Sequence, residues 1–182
     1  MTGPPVKTIF RPSGVGDFTQ WTASGSPVKP NWGCVLTAGD PQFALFPNGG
    51  ALPKRDLYKM NYYGNKKIIS LRLVASAKCG TWQGPPNPVP EIKLLLKVNG
   101  VTLTSSAKLL DAYFPAFQDV EHTWAGGVDF GDLVVDSRGE GIQIGILNDN
   151  VVGNRLVDLL YAEITALPVS RKRYFGPYRR SW

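Results

Sequence analysis

The sequence predicts an all-β protein, an antiparallel two-sheet sandwich of jelly-roll-like form with extended N- and C-terminal arms. Three observations carry this. Short runs of alternating apolar and polar residues recur along the chain, turn signals separate them about every 8–12 residues, and no long amphipathic helix interrupts them. The 20 glycines and 15 prolines follow no fixed period, which excludes collagen and suits many turns. Counted this way there are about eight to ten short strands, a pattern that implies two packed antiparallel sheets or a barrel.

The clearest element is Glu91–Ser106. Ile92, Leu94, Leu96 and Val98 share one face of an extended chain, and Lys93, Lys97 and Asn99 share the other. Asn99-Gly100 can both adopt positive φ, as a two-residue hairpin turn requires. Val101 and Leu103 then alternate with Thr102 and Thr104. The hairpin has one buried and one wet face and needs other strands to cover it.

From the start of the chain, residues 1–30 are rich in Pro, Gly, Ser and Thr and predict an extended arm with one strand near Lys7–Phe10. Trp21 and Trp32 are its packing anchors. A sandwich domain over 31–168 follows, and 169–182 forms a second arm. Within the domain, Asn31–Leu36 and Gln42–Phe46 are short strand candidates. Pro47-Asn-Gly-Gly50 is a turn, and Asp56–Tyr63 is an edge or rim strand. Lys67–Cys79 is the longest candidate, with Ile69, Leu71, Leu73, Ala75 and Ala77 inward. Gly80–Pro90 contains four prolines and reads as an exposed loop. Lys108–Phe114 fits strand or helix, Phe117–Trp124 alternates as a strand, and Asp129–Val135 suits one helical turn. Ile142, Ile144 and Ile146 line one face of the next strand. Arg155–Leu167 is apolar on both faces, as a central strand is.

The 182 residues, 43% hydrophobic, suit one domain with a sizeable core and exclude a wholly disordered chain. No apolar run approaches the roughly 20 residues of a membrane span, so no membrane partner is expected. The opening residues lack an export-signal pattern, from which synthesis and use without export is expected. Cys34 and Cys79 are then expected to be reduced thiols. The formal charge of +6 is uneven. Residues 171–182 hold five of the 20 basic residues and no acid, leaving 15 basic and 14 acidic residues elsewhere. A nearly neutral body does not support a basic nucleic-acid surface.

Catalytic and metal signatures are not evident. His122, the only histidine, lies beside Glu121 without a Gly-x-Ser-x-Gly elbow and reads as a strand-surface residue. Asn148-Asp149-Asn150 resembles part of a calcium loop but lacks its spacing and closing Glu, so it reads as a turn. Asp129, Asp132 and Asp136 are three loop acids of a commonplace kind. Gly126-Gly127 and Gly139–Gly141 lack the lysine of a phosphate loop. No cofactor is expected, and no enzyme activity.

Two groups of residues suggest binding. Arg171, Lys172, Arg173, Tyr174, Phe175, Tyr178, Arg179, Arg180 and Trp182 interleave cations with large aromatics. Such a segment suits a docking arm that folds on an acidic protein neighbour, with nucleic acid a partner only through this arm. Tyr62, Tyr63 and Trp82, with Tyr58, could stack on sugar rings, which makes a carbohydrate-binding module that recognises host surface glycans the alternative function.

From Lys67 onward, and in outline over residues 9–166, the order of pieces resembles small β-sandwich structural proteins of tailed-bacteriophage virions. The matching pieces are Arg11-Pro12, Trp21-Thr22, Ile69–Ala77, Ile92–Leu103, Trp124, Asp132-Leu133, Ile142–Ile146 and Tyr161-Ala-Glu163. Ala125-Gly-Gly127 departs from the pattern, and the basic tail lies outside it. The resemblance implies a virion structural protein, a capsid decoration, minor capsid or tail component. Taken together with the docking arm read from residues 171–182, the expected protein assembles in the host cytoplasm as a homo-oligomer and docks on other virion proteins through its termini.

Overall fold

The structure is a computed structural model, which describes residues 3–24, 29–39, 43–46, 51–61, 66–80, 90–98, 100–110, 116–131, 134–135, 141–149 and 155–168. Among these, the strands are β1 (Val6–Phe10), β2 (Pro12–Thr19), β3 (Thr22–Ser24), β4 (Phe43–Phe46), β5 (Lys54–Met60), β6 (Lys66–Cys79) and β7 (Glu91–Val98). They continue with β8 (Val101–Thr104), β9 (Lys108–Leu109), β10 (Gln118–Ala125), β11 (Val134–Val135), β12 (Ile142–Asn148) and β13 (Arg155–Pro168). One short helix, α1, spans Asn31–Cys34.

Two antiparallel sheets pack face to face as a jelly-roll-like sandwich. The first runs β10-β6-β13-β4-β3, with β1 also on β13 and β11 on β6. The second runs β2-β5-β12-β7-β8, with β9 also on β7. The core lies between them. The first sheet supplies Leu71, Leu73, Ala75, Ala77, Leu160, Ala162, Ile164, Val120 and Trp124. The second supplies Tyr58, Met60, Ile92, Leu94, Leu96, Val98, Ile142, Ile144 and Ile146. Each set recurs every second residue on its strand, so the inner faces expected from the alternation of β6, β7, β10 and β12 are those observed. The hairpin is present as well. Val98 pairs with Val101 across a two-residue turn in which Gly100 has φ +85°.

Two bulges explain where strict alternation fails. In β6, Ser70 pairs with Thr165 but the next partner of β13, Ala166, pairs with Ile68. Ile69 is therefore an extra residue, and it is Ile68, not the expected Ile69, that enters the core. In β13, Asp158 is the extra residue between Val157 and Leu159. Its buried carboxylate accepts a hydrogen bond from the Gly39 N–H at 2.8 Å, while Leu160 N–H donates to the Val35 carbonyl at 2.9 Å. The bulge thus holds residues 35–39 against the sheet.

Four local expectations are corrected. Asn31–Leu36 is not a strand. Pro30 starts a helical turn, its carbonyl accepting from Gly33 and Cys34 N–H, because the Asn31 amide is held inside by the Trp21 carbonyl and Asp56. Of the expected helical turn over Asp129–Val135, the described residues are not helical. Asp129 closes a turn by accepting from Ala125 N–H at 2.6 Å, Gly127 and Gly131 take positive φ, and β11 follows. β5 is not an edge strand but lies between β2 and β12. The first thirty residues do more than form an arm with one strand. β1, β2 and β3 pair into both sheets, and Trp21 is a core residue.

Asp56 explains that last point. Its carboxylate is buried inside the sandwich and accepts from Gln20 N–H, Trp21 N–H, the Asn31 amide and the Tyr58 hydroxyl. Four donors from three parts of the chain meet one anion, which ties the β2–β3 connection and α1 to β5. Burial outweighs these donors and lifts the carboxyl above its ordinary value. Burial, then the Asp56 charge, raises the Tyr58 hydroxyl further still. Cys34 and Cys79 are buried thiols, not halves of a disulfide, as the sequence led us to expect. Burial raises the Cys79 thiol.

Candidate functional site

The two sheets present very different outward faces. On the first, Glu163 of β13, Arg72 of β6 and Glu121 of β10 alternate with inward-facing residues and point outward, and Lys7 of β1 reaches Glu163 on the same face. Glu163 pairs with Lys7 at 2.7 Å and with Arg72 at 2.9 Å, and Arg72 also pairs with Glu121. Lys7, then Arg72, holds the Glu163 carboxyl below its ordinary value. The hydrogen bonds that Arg72 donates to Glu121 and Glu163 push its guanidinium pKa well up. The row spans four strands and neutralises itself.

The outward face of the second sheet carries Arg55, Leu57 and Lys59 of β5, Gln143, Gly145 and Leu147 of β12, Lys93, Leu95 and Lys97 of β7, and Thr102 and Thr104 of β8. Their cross-strand register places Leu57, Gly145, Leu95 and Thr104 in one row. Gly145 sits at the centre of that row, with the β5 backbone and Leu57 closed against it. A Cβ there would collide with the Asp56 carbonyl and the Leu57 side chain.

β2 covers half of this face. Between Val15 and Thr19 it runs four steps while its partner β5, from Tyr58 to Asp56, runs two. The slack forms a bulge at 16–18 that folds over β12. Asp17 N–H donates to Gln143 Oε1 at 2.8 Å, Gln143 donates back to Asp17 Oδ1 at 2.7 Å, and Lys97 pairs with Asp17. Lys97, then Gln143, holds the Asp17 carboxyl below its usual range. Gly16 is required here, since a Cβ would strike the Leu57 carbonyl and the Gln143 side chain.

The uncovered half is a depression open to solvent, about 460 Å³, lined by Leu52, Pro53, Arg55, Leu95, Thr102, Thr104, Leu147 and Asp149. Leu95 is 1% exposed and, with Leu147, makes an apolar floor. Thr102 and Thr104 give a hydroxyl edge. Asp149 pairs with Lys93 at 2.6 Å, and this bond raises the Lys93 ammonium above its ordinary value. Opposite, the Arg55 guanidinium lies 4.4 Å over the Phe18 ring on the bulge. A second, more apolar depression of about 300 Å³ lies beside the hairpin tip, lined by Val98, Val101, Leu103, Asp129, Phe130 and Gly131.

The residues singled out in the sequence fall elsewhere. Tyr62, Tyr63 and Trp82 lie outside the described residues, as do all nine of the tail, Arg171, Lys172, Arg173, Tyr174, Phe175, Tyr178, Arg179, Arg180 and Trp182. Tyr58 is no stacking platform, because it is buried with its hydroxyl on Asp56. His122 sits on β10 edge-on to Trp124, with ring centroids 4.6 Å apart, and burial, then Lys108, lowers its pKa. Asp129 serves its turn, while Asp132 and Asp136 lie outside the described residues. Asp149 belongs to the rim of the larger depression. Leu95 was the overlooked signal, an apolar residue between two lysines on the wet face of the hairpin.

No family model matches the chain, and no curated protein matches it. Among solved structures, the xylan-binding CBM22-1 domain of Paenibacillus barcinonensis Xyn10C is similar at 10% identity, covering 90% of this chain and 95% of its own, with a TM-score of 0.46. A cyclase from Fischerella sp. TAU is similar at 12% identity, covering 91% and 76%, with a TM-score of 0.43. A CBM4 structure is similar at 14% identity over 80% and 89%, with a TM-score of 0.36.

Proposed function

We propose that the chain is a carbohydrate-binding module and that the open half of the second sheet receives the sugar. One observation carries this reading: the depression combines an apolar floor, Leu95 and Leu147, with hydroxyls at Thr102 and Thr104 and charges at Arg55 and Asp149. A pyranose has a weakly polar C–H face and a rim of hydroxyls, and that is the ligand such a lining suits. The floor buries C–H surface, while the rim groups replace the water around the hydroxyls. Calorimetric titration of the whole chain with oligosaccharides tests it. The wild type is expected to bind, and Thr104→Val with Leu147→Gln is expected to weaken binding at least roughly tenfold. Unchanged affinity in that folded double variant would refute the site.

A second reading, a virion structural component that docks on neighbouring subunits, is favoured by β1. Among the described residues this strand pairs only with β13, and it exposes Val6 at 46% and Ile9 at 57%. An edge strand with apolar side chains is suited to a protein neighbour. In that reading, deletion of residues 171–182 leaves the domain folded and abolishes incorporation into the particle. Normal occupancy of the truncated chain would sink it.

A further inference from the structure

We infer that the saccharide bound in the depression is acidic and that Arg55 reads its anionic group, a carboxylate or a sulfate ester. The inference rests on the proposed carbohydrate site and specifies its ligand. Its basis is how the charges of the face are used. Lys97 is engaged by Asp17 and Lys93 by Asp149. Arg55 lines the depression and has no carboxylate within ion-pair distance among the described residues. The other sheet is built differently, since outward-facing Arg72 is bound by two glutamates.

Arg55 is nonetheless held in place. Its guanidinium lies 4.4 Å over the Phe18 ring, and its backbone N–H donates to Gln20 Oε1 at 2.9 Å. An aromatic ring accepts no conventional hydrogen bond from the fork, so the contact steadies the guanidinium and leaves N–H donors for another partner. Five donors in a rigid fork match a carboxylate or sulfate bidentately, and such charge-assisted bonds are roughly twice as strong as neutral ones. The Phe18 contact comes from the bulge of β2, so the same two extra residues that cover half the face also fix the cation at the edge of the other half. Asp149 lies on the same rim, but its charge is met by Lys93 and does not cancel Arg55.

The test is titration of the whole chain with three oligosaccharides of equal length: a galacturonate oligomer, a heparin-derived sulfated oligomer and a neutral xylo-oligomer. The wild type is expected to prefer one acidic oligomer by roughly tenfold or more, with affinity falling as salt rises. Which of the two is preferred identifies carboxylate or sulfate as the anion. Arg55→Gln is expected to erase the preference while leaving weak neutral binding, and Arg55→Lys to retain part of it, because a lysine is a point charge without the fork. Arg72→Gln on the opposite sheet is expected to change nothing. Equal binding of acidic and neutral oligomers, or a preference that survives Arg55→Gln, would overturn this inference and leave the carbohydrate site standing. Failure to bind any of the three would overturn both.

Discussion

The outward faces of the two sheets are made from similar residues and behave differently. On the first, Lys7, Glu163, Arg72 and Glu121 lie across four neighbouring strands in alternating sign, so each charge finds its opposite beside it. On the second, pairing is interrupted twice. The β2 bulge draws Lys97 and Gln143 to Asp17, and Leu57, Gly145 and Leu95 make the middle of the row apolar. On the first face these four charges satisfy one another. The second face has an apolar floor at Leu95 and Leu147 and a guanidinium at Arg55 left for something else, which teaches that the way charges are paired, not how many there are, distinguishes the proposed binding side.

The largest expected effect tests the floor beneath that face. Gly145→Val should prevent folding or lower stability by several kcal/mol, since the added side chain meets the Asp56 backbone carbonyl of β5, which cannot give way as a side chain can, besides Leu57. The corresponding outward position in the first sheet, Arg72→Val, should be far milder. Urea melts of the two variants check this, and comparable losses would mean the two faces are not built differently.

Next comes the anchor of the bulged strand. Asp56→Ala removes the acceptor of four donors, three of them buried, and should cost about 3 kcal/mol or more. Hydrogen exchange should then rise first at Gln20 and Trp21 in the β2–β3 connection, with β6 and β13 protected longer. Uniform exchange would show that Asp56 does not specifically hold the covering strand.

A smaller effect separates the two carboxylates by pH. Glu163 is held below its ordinary value by Lys7 and Arg72, so its contribution is present above the unfolded pKa and is lost as pH falls through the lower folded value. Glu163→Gln should therefore flatten the acid limb of the Tm profile. Asp56, raised by burial, has the opposite sign. Its ionisation costs stability as pH rises from the ordinary carboxylate range through its folded pKa. An acid limb unchanged in Glu163→Gln would remove the charge row as a stabilising feature, which for exposed pairs is worth at most about 1 kcal/mol.

Much of the fold was legible because the physics is local. The two-residue period of β7 and β12 names Ile92, Leu94, Leu96, Ile142, Ile144 and Ile146 as core, and Asn99-Gly100 names the hairpin turn. Legibility failed where a tertiary partner decided the outcome. Ile68 and Ile69 exchange roles through a bulge fixed by β13, and Asn31 leaves the strand pattern to reach Trp21 and Asp56. The site was less legible for the same reason. Leu52, Arg55, Leu95, Thr104, Leu147 and Asp149 come from separate segments, and only the strand order of the second sheet brings them together. Aromatic residues drew attention to Tyr58 as a stacking platform, whereas its hydroxyl has an internal partner.

The most direct measurement follows backbone amide chemical shifts of the whole chain while a saccharide bound in calorimetry is added. Saturable shifts are expected at Leu52, Arg55, Leu95, Thr102, Thr104, Leu147 and Asp149, with Lys7, Arg72, Glu121 and Glu163 unmoved. Shifts concentrated on those four residues of the first sheet, with the depression unperturbed, would contradict the assignment of the second sheet as the binding face.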